Sequence, residues 1–68
     1  MIPDGMRLYN DPDGVHYVGL VGSRWYRWPA ERDGWKRRAP CDPPELAGSF
    51  PLDARLAKLA AQLSGVRP

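Results

Sequence analysis

Cysteine and histidine are almost missing from this 68-residue chain, with Cys41 and His16 the only ones. A lone cysteine excludes an internal disulfide, and one cysteine with one histidine cannot complete a tetrahedral zinc site. No metal or other cofactor is therefore expected. The same scarcity argues against catalysis, because scattered carboxylates with one histidine and one cysteine supply no nucleophile, base and orienting group. Asp11 and Asp13 are a close carboxylate pair, and a turn already accounts for them. The chain is read as a non-enzyme. No apolar run approaches the ~20 residues that cross a bilayer, so no membrane association is expected. Met1-Ile2-Pro3-Asp4 lacks the basic start and apolar run of a secretory signal. With an unpaired cysteine, that points to a soluble protein of the cytoplasm.

Size is also short. A domain this small buries only roughly 60% of the surface its unfolded chain exposes. Without disulfide or metal, stability must come from large side chains: three Trp, three Tyr, one Phe and seven Leu. Self-association would add to it, so a homodimer stays open. The 43% hydrophobic content and the aromatics suit a folded domain, residues 1–68, and not a disordered chain.

Charge is placed unevenly. Residues 1–22 set Arg7 against Asp4, Asp11 and Asp13, a net of −2. Residues 23–38 set Arg24, Arg27, Arg32, Lys36, Arg37 and Arg38 against Glu31 and Asp33, a net of +4. The remainder is balanced, and the chain totals +2.

The pattern along the chain predicts an α+β fold: a three- to four-stranded antiparallel meander over 6–38, a proline-rich connector over 39–50, and a helix over 51–64. Met6 to Asn10 alternates as a strand. Asp11-Pro12-Asp13-Gly14 carries turn chemistry, since proline presets φ, aspartate accepts backbone bonds and glycine takes positive φ. Val15 to Val21 is a second strand, with Val15, Tyr17 and Val21 on one face and His16, Val18 and Leu20 on the other. Gly22-Ser23 suits a two-residue hairpin with glycine first. Arg24 to Trp28 is the third strand, stopped by Pro29, and Trp35 to Arg38 is a candidate fourth. Asp42-Pro43-Pro44-Glu45 can start one short helical turn. From Pro51, Leu52, Leu56, Leu59, Ala60 and Leu63 form one apolar stripe. Ser49 is the expected N-cap and Gly65 the C-terminal stop. A helix of about 14 residues is marginal alone, so its leucines are expected to pack on the sheet.

The informative stretch is Ser23 to Arg38. In a strand, Arg24, Tyr26 and Trp28 share one face, while Trp25 and Arg27 share the other, so each face mixes rings with guanidinium groups. Arginine pairs with phosphate and rings stack on bases, which points to nucleic acid. Trp, Tyr and Arg also dominate protein–protein hot spots. The candidate binding residues are Arg24, Tyr26, Arg27, Trp28, Trp35, Lys36, Arg37 and Arg38. Nucleic acid is the first expected partner. A larger protein, docked or inhibited by this chain as by small phage or mobile-element proteins, is nearly level with it, because +2 is a modest excess for a dedicated nucleic-acid binder.

Overall fold

A computed structural model describes residues 7–66. Five strands form one antiparallel sheet: β1 (Leu8–Asn10), β2 (His16–Val21), β3 (Arg24–Pro29), β4 (Ala39–Pro40) and β5 (Phe50–Pro51), in the order β4-β3-β2-β1-β5. Two helices accompany them, α1 (Pro44–Ala47) and α2 (Ala54–Leu63), with a 3₁₀ turn over Gly34–Arg37. This is a small α+β fold, with one strand more than the upper count expected. Met6, placed in the first strand by its pattern, lies outside the described residues.

Both predicted hairpins form. The Asp11–Gly14 turn closes with the Gly14 N–H on the Asp11 carbonyl at 2.9 Å, and Gly14 has φ 75°. Gly22 has φ 65° and joins Val21 to its partner Arg24. The register sets Leu8, Gly19 and Tyr26 in one row across the sheet, and Asn10, Tyr17 and Trp28 in the next.

That face carries the core: Leu8, Trp28, Ala57, Ala60, Ala61 and Val66, with Tyr17, Tyr26, Trp35 and Leu52 packed around them. Trp28 is wholly buried. It fits because the position diagonal to it on β2 is Gly19, where an added Cβ would stand 2.7 Å from Trp28 Cη2 and 3.1 Å from a Leu8 methyl. The missing side chain at 19 is the space the indole fills.

Three expectations are corrected. The fourth strand is not Trp35 to Arg38 but Ala39–Pro40, paired with Arg27 and Tyr26. Residues 34–37 coil instead, because the Lys36 and Arg38 N–H groups turn back to the Asp33 and Trp35 carbonyls, and the Trp35 N–H reaches the Ser64 carbonyl at 3.0 Å. Ser49 is not the cap of the long helix. Phe50 precedes a proline, which disfavours helical backbone there; Phe50 and Pro51 pair with Asn10 and Tyr9, and the Leu52 N–H bonds to the Leu8 carbonyl. The helix starts only after Asp53, whose carboxylate accepts from the Arg55 N–H at 2.9 Å.

The third correction matters most. Of the expected apolar stripe, Leu52 and Ala60 pack against the core, but Leu56, Leu59 and Leu63 do not. Ala57, Ala60, Ala61 and Ser64 are the buried positions, while Leu56, Leu59 and Leu63 are 56%, 53% and 64% exposed. The sheet face already presents Trp28, Tyr17 and Leu8, so the helix closes on it through its small residues. Leu56, Leu59 and Leu63 are rotated off the core.

Candidate nucleic-acid interface

Arg24, Tyr26 and Trp28 share the core face of β3, and Trp25 and Arg27 the opposite one, as strand alternation requires. The eight candidate residues then separate into three groups.

Trp28 belongs to the core. Its ring meets Trp35 edge-on, with centroids 5.0 Å apart and planes at 89°, and Tyr17 at 6.3 Å. It has no surface to offer a base, and its Nε1–H is buried without a partner among the described residues. The expected stacking role for Trp28 is excluded by this burial.

Two arginines are committed internally. Arg27 Nε donates to Asp11 at 2.7 Å and its Nη2 to Asp13 at 3.0 Å. These carboxylates raise the Arg27 pKa, the Asp11 hydrogen bond most of all. Asp13 accepts the Val15 N–H at 2.8 Å, which, with His16 and Arg27, lowers its pKa despite some desolvation. Asp11, Asp13 and His16 bring ligand-type atoms within 4.8 Å of one another. The Arg27 guanidinium already supplies the positive charge that this cluster holds, and a dication would have to displace it. Arg37 pairs with Glu31 across the turn.

The sheet's second face is also occupied. Tyr9 and Trp25 pack edge-on there at 5.8 Å. Ser49 Oγ donates to Asp11 at 3.4 Å and the Cys41 N–H to the Trp25 carbonyl at 3.1 Å, which ties both ends of the connector to it. Burial, then the charges of Asp42 and Asp11, push the Cys41 thiol up. The expectation of one open sheet face carrying rings and arginines is thus corrected: the connector borders the face opposite the helix.

Arg24, Tyr26, Trp35, Lys36 and Arg38 remain. The Arg38 guanidinium lies over the Trp35 ring at 4.5 Å and over Tyr26 at 5.8 Å, while Trp35 and Tyr26 meet edge-on at 5.7 Å. The stack is anchored by the Trp35 N–H to Ser64 and by Trp28 beneath. Arg24 stands two residues from Tyr26 on the same strand face. Arg24, Lys36 and Arg38 are exposed, and among the described residues none pairs with a carboxylate. Arg38 Nη1 also donates to the Trp35 carbonyl at 3.3 Å, which leaves the other N–H groups of the guanidinium for a phosphate or carboxylate.

Sequence reading found the residues of this stack and missed two things: which arginines are spoken for, and the exposed leucines of α2. Asp11 and Asp13 in the β1–β2 turn were the available signal for the first, and alanines at 57, 60 and 61 for the second. Comparison with known proteins finds no family, no curated protein and no solved structure that matches this chain.

Proposed function

We propose that this chain is a non-catalytic binding domain whose working surface is Arg24, Tyr26, Trp35, Lys36 and Arg38, and whose ligand is the phosphate backbone of a nucleic acid. The observation that carries the reading is the Arg38–Trp35–Tyr26 stack, with Arg24 two residues from Tyr26 on the same strand face and Lys36 following Trp35 in the chain. Among the described residues, Arg24, Lys36 and Arg38 pair with no carboxylate, whereas Arg27 and Arg37 do. Because Arg38 covers one Trp35 face and Trp28 is inaccessible, base stacking is a minor part of the contact. Recognition is through charge and is tolerant of sequence.

Fluorescence anisotropy of labelled single- and double-stranded DNA and RNA tests it. Three phosphate contacts give a log–log salt slope near about −2 on single strands and about −2.7 on duplex. Absence of binding at low salt rejects the reading.

A protein ligand is the second reading, favoured by the solvent-exposed leucines of α2. Exposed apolar surface of this kind marks interaction sites.

A further inference from the structure

The rings of the cationic surface are closed to a base. Trp35 and Tyr26 are half-buried, and the Arg38 guanidinium lies 4.5 Å from the centroid of the first and 5.8 Å from that of the second. Its Nη1 donates to the Trp35 carbonyl at 3.3 Å, which holds it there. Trp28 and Tyr26 meet Trp35 edge-on, at 5.0 Å and 5.7 Å, and Trp28 has no exposed surface. The Trp35 backbone N–H is bonded to the Ser64 carbonyl, which fixes the turn that carries the ring. Proteins that hold unpaired strands combine a basic groove with open ring faces on which successive bases stack. This surface has the cations without the open faces.

The cations are exposed and spread along the sheet. Arg24 lies on the face of β3 that carries Tyr26. Arg38 has extended backbone and stands one step before Ala39, the partner of Arg27, which sets it level with Trp28. Lys36 is exposed in the turn that leads to it. Arg24 and Arg38 are thus four residues apart along β3, about 13 Å at ~3.3 Å per residue. Over that length a duplex presents about eight phosphate charges and one helical strand about four, at one per ~1.7 Å and one per ~3.4 Å. Three cations in fixed positions find more partners on the duplex, and a single strand gains no stacking to compensate.

We infer that the ligand of this surface is a double helix, gripped from its phosphate exterior with its bases still paired. The inference rests on the phosphate reading above and narrows it. Counterion release sets the size of the preference. Slopes of ~0.9 per contact on duplex and ~0.7 on a single strand differ by about 0.6 over three contacts. With the non-electrostatic remainder equal, that is about sixfold in affinity at about 50 mM salt.

Anisotropy titrations of a labelled DNA duplex and an oligothymidine of equal length, with Trp emission read in parallel, test it. At about 50 mM salt the duplex should bind about sixfold tighter. The oligothymidine should leave Trp emission unquenched, since no ring face is free to stack. Arg38→Ala removes one phosphate contact and uncovers Trp35. It should weaken duplex binding, flatten the duplex salt slope by about 0.9 and bring the two affinities closer, with an unchanged far-UV spectrum. An oligothymidine that binds as tightly as the duplex, or quenches the wild-type emission, overturns the inference and leaves the phosphate reading standing. A folded Arg38→Ala variant that keeps the wild-type duplex slope also overturns it. Absence of binding to either probe overturns both.

Discussion

Gly19 and Trp28 are halves of one packing decision. The indole occupies the space above the glycine, so even one methyl at 19 collides with ring atoms held by Trp35, Tyr17 and Leu8. Gly19→Ala should cost about 1–3 kcal/mol by overpacking, lowering Tm by at least several degrees in a domain this small. Thermal denaturation followed by Trp fluorescence checks it, and an unchanged Tm would mean that Trp28 does not sit over residue 19. Asp13 makes a pH-dependent contribution whose sign follows from its lowered pKa. A carboxylate held below its unfolded value stabilises the fold above the ordinary aspartate range, near pH ~4, and that stabilisation is lost as pH falls through the folded value. An acid titration of ellipticity should therefore show a limb below pH ~4 that is shallower in Asp13→Asn; identical limbs would contradict the assignment. Cys41, with its pKa raised by burial and nearby carboxylates, should react with a thiol reagent at neutral pH more slowly than a free cysteine.

At the scale of elements, the sequence made the hairpins legible because their turn residues are local: Asp-Pro-Asp-Gly and Gly-Ser fix φ without reference to anything distant. The short α1 turn was legible for the same reason, since Pro44 fits a first helical position. The helix face was not. An apolar stripe of leucines and a narrower one of alanines lie side by side on α2, and hydrophobicity alone selects the leucines. Which stripe faces inward depends on how much room the sheet leaves, and that depends on Trp28, Tyr17 and Leu8. The site was half legible in the same way. Composition located the arginines and rings, but only the cross-strand register shows that Arg27 ends beside Asp11 and Asp13. A pair of substitutions tests the inverted helix. Ala61→Leu should lower stability markedly, since Ala61 has no exposed surface and overpacking costs about 1–3 kcal/mol. Leu59→Ala, at a half-exposed position, should cost less than about 1 kcal/mol, measured by urea denaturation at a concentration where the chain is monomeric. The opposite ranking would restore the leucines to the core.

For the whole molecule, the distribution of charge outweighs its total. The net +2 is modest, yet internal pairing removes Arg27 and Arg37 from the free cations and leaves Arg24, Lys36 and Arg38 beside one aromatic stack. The exposed leucines of α2 form a separate surface. The side-chain indole N–H signals of the three tryptophans report on the proposed surface most directly. In a ¹H–¹⁵N spectrum titrated with an oligonucleotide at low salt, the Trp35 signal should shift while Trp28 stays fixed, and Arg24→Ala with Arg38→Ala should abolish the shift. No movement of Trp35 at saturating oligonucleotide, or shifts confined to α2 around Leu56, Leu59 and Leu63, would contradict the assignment of this surface to nucleic acid.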